Sequence, residues 1–89
     1  MRWTHKALSD LARLYEFLAP VNRQAAVRSV QSLVAAVRRL LERPRVGEKL
    51  EEFEPRGVRR IIVGKYEMRY EIQDSTIYVL RLWHTSEDR

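Results

Sequence analysis

The sequence predicts an α+β domain in which a helical hairpin packs on an antiparallel sheet, in the order β-α-α-β-β-β. Three observations carry this expectation. Apolar residues recur every three or four positions through two long stretches before Pro44, the mark of amphipathic helices. Pro20 and Asn22 separate the two stretches. Further on, Tyr66, Met68, Tyr70 and Ile72 alternate with Glu67, Arg69, Glu71 and Gln73, the period of a half-buried strand. At 89 residues the chain reads as one domain, residues 1–89.

Taken in order, Met1–Trp3 reads as a very short strand. Thr4 is placed to cap a helix, because its hydroxyl can accept from a free N–H of the next turn. Ala7, Leu8, Leu11, Leu14, Tyr15 and Leu18 form the apolar stripe of that helix, with Lys6, Asp10, Arg13 and Glu16 on its outer face. Pro20 cannot continue the helix, since it lacks an N–H and clashes with the previous turn. Asn22 caps the second helix, about Arg23 to Glu42. Its stripe is Ala26, Val30, Leu33, Val34, Val37, Leu40 and Leu41, and Arg28, Arg38 and Arg39 read as a solvated face. Pro44 ends it. From there to Gly57 the chain holds two prolines, two glycines and the acidic cluster Glu48, Glu51, Glu52 and Glu54. This is expected to be a loop pinned by Leu50 and Phe53. Three strands follow, Val58–Val63, Tyr66–Gln73 and Thr76–Trp83, with turns at Gly64-Lys65 and Asp74-Ser75.

Register decides which side chains of the last strand face the helices, because a slip of one residue swaps its faces. A two-residue turn pairs Ile72 with Ile77 and sends Arg81 to the face of Met68 and Tyr70. A three-residue loop sends Tyr78, Leu80 and Leu82 there instead. The second arrangement is expected, because burying Arg81 under the helices without a partner is costly. Arg69, Arg81 and Trp83 then share an open, helix-free face.

Composition excludes several classes. With no cysteine there is neither a disulfide nor a Cys-based zinc site. The acidic loop lacks a metal-ligand pattern, so no cofactor is expected. No apolar run approaches the roughly 20 residues of a membrane span. Met1-Arg2-Trp3 leads into a polar segment rather than a signal peptide. A soluble, cytoplasmic protein is expected. The net charge of +5 fits an acidic protein partner or nucleic acid.

Three groups of residues resemble the RelE/ParE superfamily of bacterial toxin–antitoxin toxins. They are Trp3-Thr4 with Ala7-x-x-Asp10-Leu11, then Gly64-Lys65-Tyr66-x-x-x-Tyr70-Glu71-Ile72, then Val79-Leu80-Arg81-Leu82-Trp83-His84 before a charged end. They span nearly the whole chain in the family's order. The resemblance implies a helical hairpin over an antiparallel sheet, and one of two activities. RelE-like members are metal-independent ribonucleases, most of which cut messenger RNA on the ribosome. ParE-like members bind DNA gyrase and inhibit or poison it. Both are silenced by a cognate antitoxin whose flexible C-terminal part wraps the toxin.

RNA cleavage needs a proton acceptor, cations for the phosphate and an acid for the leaving oxygen. RelE-type enzymes carry a basic residue directly after the tyrosine that starts the corresponding strand; here it is Glu67. Beyond the last strand they carry an Arg and a Tyr or His; here stand Thr85, Ser86, Glu87 and Asp88. The ending resembles the ParE branch more closely. The favoured reading is therefore a ParE-like, gyrase-binding toxin with target contacts at Arg81, Trp83, His84 and Arg89. Arg60, Arg69 and Arg81 are assigned to antitoxin binding, the antitoxin covering the face of Arg69 and Arg81 or packing against the helical hairpin. The alternative is a ribosome-dependent ribonuclease using His84, Arg81 and Arg69, and a third possibility is a domain that only binds its partner. Bland roles stand beside these: His84 as a packing or capping residue, Trp83 as partly buried core, and Tyr66 and Tyr70 as core.

Overall fold

The computed structural model of the chain describes residues 1–86. Its elements are β1 (Arg2–Trp3), α1 (His5–Leu18), α2 (Arg23–Glu42), β2 (Glu48–Lys49), β3 (Gly57–Val63), β4 (Tyr66–Gln73) and β5 (Thr76–His84), with a 3-10 turn at Glu51–Phe53. The sheet order is β1-β5-β4-β3-β2. It is mixed rather than purely antiparallel, because β1 runs parallel to β5, pairing Arg2 with Tyr78 and Trp3 with Val79. The expected loop after Pro44 also contributes an edge strand, β2, which pairs Glu48 with Arg60 and Lys49 with Arg59.

Local chemistry sets the helix ends. The Thr4 hydroxyl accepts from the Ala7 N–H at 3.1 Å, and the Asn22 side chain accepts from the Ala25 N–H at 3.0 Å. Each satisfies one of the orphan donors of a first turn. The hairpin packs on one face of the sheet. There Ala7, Leu14, Leu33, Val37 and Leu40 meet Met68, Tyr70, Ile77, Val79 and Leu82. Leu8 and Leu41 of the expected stripes are instead exposed, at 50% and 57%. Among the described residues, no helix is long and apolar enough to cross a membrane.

Tyr70 fastens the chain leaving α2. It is fully buried, accepts from the Gly47 N–H at 2.9 Å and donates to the Pro44 carbonyl at 2.7 Å. A Cβ at position 47 would sit 2.5 Å from this phenol oxygen and 2.7 Å from the Arg60 carbonyl, so only glycine lets the loop come this close.

The last turn corrects the expected register. It is a two-residue turn, with Gln73 opposite Thr76 and Ile72 opposite Ile77. Asp74 adopts φ +54°, as tight turns require and Asp tolerates. A β-bulge then interrupts the ladder: Tyr70 faces Val79, but Arg69 faces Arg81, leaving Leu80 as the extra residue. The bulge switches parity partway along β5. Ile77 and Val79 face the helices before it and Leu82 after it, so Arg81 avoids the core without a three-residue loop.

Candidate functional site

The sheet face away from the helices gathers most of the sequence-derived candidates. Cross-strand pairing aligns Arg60 with Arg69 and Arg69 with Arg81, and sets Trp83 opposite Glu67. The Arg69 guanidinium carbon lies 4.8 Å from the centroid of the Trp83 ring and 5.5 Å from that of Phe53. Arg81 sits 5.9 Å from the Trp83 ring. Arg69, Arg81 and Trp83 are therefore neighbours, as expected.

This face is only partly open, however. The segment between β2 and β3 folds over it: Leu50 is 7% exposed, Val58 is fully buried, and the Phe53 ring lies against Arg69. Trp83 is only 6% exposed. What it offers the surface is the placement of the two arginines stacked on it.

Nor are the cations uncommitted. Arg60 contacts Glu48 at 3.0 Å and Glu67 at 3.6 Å, and Arg69 Nε lies 3.5 Å from Glu67. Arg56 grips Glu71 through two bonds of 3.1 and 2.7 Å. That fork holds the Glu71 carboxyl below its ordinary range against the opposing effect of burial. Glu67 and Glu71 are both buried, each serving as an anionic partner within the cationic array.

Arg81 is bound from the helical side. Its Nε donates to Asp10 Oδ2 at 2.8 Å and its Nη2 to Oδ1 at 3.2 Å. Arg81 lies on the helix-free face, as expected, but it is bound there: Asp10 of α1 reaches it at the edge of β5. Asp10, expected on the outer face, is 2% exposed. It also accepts from the Leu82 N–H at 3.0 Å and from Arg13 Nη1 at 3.1 Å. Burial pushes its carboxyl up, but the Arg81 and Leu82 hydrogen bonds and the charges of Arg81 and Arg13 outweigh this and hold it low. Sequence reading missed this residue although a signal was present. Asp10 lies three positions after Ala7 and four before Leu14, on the buried stripe rather than opposite it.

His84 stands apart. It pairs with Tyr66, on the face shared with Met68 and Leu82, and meets the Tyr66 ring edge-on at 5.4 Å. Its Nδ1 accepts from the Ser86 N–H at 3.1 Å and lies 2.6 Å from the Ser86 hydroxyl. The sheet thus separates His84 from Arg69 and Arg81. Arg89 lies outside the described residues.

On His84's side, a groove of about 1170 Å³ opens between the hairpin and the β3–β4 turn. Leu14, Phe17, Leu33, Val63 and Tyr66 line it with apolar surface, and Phe17 is 79% exposed. Arg13, Arg28, Arg39 and Lys65 supply its charge, and among the described residues no carboxylate lines it. Arg28 and Arg39, expected to form a plain solvated face, thus line an apolar groove.

The comparisons agree with this architecture. A solved structure described as the chromosomal ParDE TA system from P. aeruginosa superposes with a TM-score of 0.77, covering 93% of this chain and 91% of that one. At 24% identity it is similar in fold. No curated protein matches the sequence. The profile of the ParE toxin of the type II toxin–antitoxin system, parDE, matches residues 1–89, the whole length. The chain belongs to the ParE toxin family of type II toxin–antitoxin systems.

Proposed function

We propose that this toxin acts in the cytoplasm by binding DNA gyrase and inhibiting or poisoning it, not by cutting RNA, and that a cognate antitoxin neutralises it. One observation carries the choice between binding and catalysis. The residues a ribonuclease would need, His84, Arg81 and Arg69, are divided between opposite faces of the sheet. The two arginines already have carboxylate partners in Asp10 and Glu67. A scissile phosphate beside Arg69 would meet the buried Glu67 carboxylate, which opposes a developing phosphorane charge. Arg81, stacked on Trp83 and half-exposed, together with His84 and Arg89 at the end of the chain, is assigned to target contact.

The antitoxin assignment shifts from Arg60, Arg69 and Arg81 toward the groove beside α2. The far face is partly covered by the chain's own loop, whereas the groove joins exposed apolar surface to Arg28, Arg39 and Lys65, with no carboxylate in its lining among the described residues. An acidic, amphipathic segment suits such a surface. A supercoiling assay with purified toxin tests the main proposal. Inhibition or trapped cleavage complexes with intact messenger RNA are expected. Unimpaired gyrase with cleaved messenger RNA would overturn it in favour of the RelE-like activity.

A further inference from the structure

We infer that Asp10 is a positioning residue, which orients Arg81 for target contact while closing the free edge of β5. The inference rests on the reading of Arg81 as a contact residue.

β1 covers β5 only at Tyr78 and Val79, and among the described residues no strand pairs with the outer edge of β5 beyond it. Side chains at the start of α1 take the strand's place. The Thr4 hydroxyl donates to the Leu80 carbonyl at 2.9 Å, and Asp10 accepts from the Leu82 N–H. An edge satisfied in this way is closed to strand addition by another chain.

Both carboxylate oxygens of Asp10 are fully used. Oδ2 takes Arg81 Nε and the Leu82 N–H; Oδ1 takes Arg81 Nη2 and Arg13 Nη1. All four partners are donors, so the position calls for a group with acceptors on both sides. Asparagine has one acceptor, and in either orientation its amide nitrogen would face two donors. The bulge at Leu80 has turned Arg81 out of the core, where a long side chain samples many rotamers. The planar fork with Asp10 and the Trp83 ring fix the guanidinium between them. The target then meets an arginine already ordered, and the entropy cost of binding falls.

The test measures the soluble toxin level needed to arrest growth for the wild type, Asp10→Asn, Arg81→Ala and the double variant, with thermal stability recorded for each. Arg81→Ala is expected to raise the required level about tenfold or more, and Asp10→Asn by a similar order. In the Arg81→Ala background, adding Asp10→Asn is expected to change it less than about twofold, because coupled residues do not add. An Asp10 that only stabilises the fold would raise the level by the same factor with or without Arg81, and that result overturns the inference. So does an Asp10→Asn toxin of full potency alongside an impaired Arg81→Ala. Full potency of Arg81→Ala itself would overturn the underlying contact reading instead. If Asp10→Asn does not accumulate as folded protein, Asp10→Ser, which is smaller and sets no amide nitrogen against the four donors, is read by the same criteria.

Discussion

The Arg69 guanidinium is held between two rings, Trp83 at 4.8 Å and Phe53 at 5.5 Å, on the sheet face that also carries the ion pairs of Glu67 and Glu71. Trp83 is itself 6% exposed, a large aromatic buried beneath the arginine on this face. Trp83→Ala is therefore expected to cost about 3–5 kcal/mol, the range for deleting a large buried aromatic. Trp83→Phe retains a ring under the arginines and is expected to lose much less. Urea unfolding of the two variants checks this. A Trp83→Ala midpoint equal to that of the wild type would show the far face to be energetically idle.

Tyr70 provides the second expectation. Its hydroxyl bridges the Gly47 N–H and the Pro44 carbonyl inside the core. Tyr70→Phe keeps the ring but strands both backbone groups, at a cost of about 1–3 kcal/mol. Gly47→Ala is expected to be worse, because its Cβ would contact the Arg60 backbone as well as the phenol. Thermal melts should rank the wild type above Tyr70→Phe, and Tyr70→Phe above Gly47→Ala.

The periodic elements were legible because their patterns are local. Alternation from Tyr66 to Gln73 and the apolar stripe around Leu33, Val37 and Leu40 each report their own segment. The bulge was not, since it depends on how two strands meet. Its trace in the sequence is a change of parity, with Ile77 and Val79 giving way to Leu82. The pairing of Asp10 with Arg81 joins residues 71 positions apart, and no local rule connects them. The covering of the far face was half-visible. Leu50 and Phe53 read as anchors, but what they anchor against is set by tertiary packing, and that converted an expected open face into a partly covered one.

Acid should weaken the fold through Asp10 and Glu71. Both carboxyls are held below their ordinary values of 3.8 and 4.5 in the native state. The unfolded chain therefore binds protons more readily, and their stabilisation is complete above those values and withdrawn as pH falls through the lowered native ones. Melting temperature is expected to hold steady from neutral pH down to about 5 and then drop. Arg56→Gln, which removes the partner of Glu71, should lower the plateau and make the drop shallower. An unchanged acid limb in that variant would mean that the Arg56–Glu71 fork does not govern it.

The groove yields the last expectation. Its cations, Arg28 and Arg39, project from the exposed side of α2 and take no part in the core or in the Asp10–Arg81 pair. Arg28→Glu with Arg39→Glu should leave the fold and growth arrest intact, because exposed substitutions rarely change stability by more than about 0.5 kcal/mol. The same change places two negative charges where an acidic antitoxin segment would lie, and juxtaposed like charges are costly at an interface. Cells expressing this toxin with its antitoxin should stop growing, while wild-type toxin with the same antitoxin is tolerated. Phe17→Asp, at a residue 79% exposed on the groove wall, offers an apolar counterpart. If the antitoxin still rescues all these variants, it binds elsewhere on the toxin. If it fails to rescue even the wild type, it is not the partner of this chain.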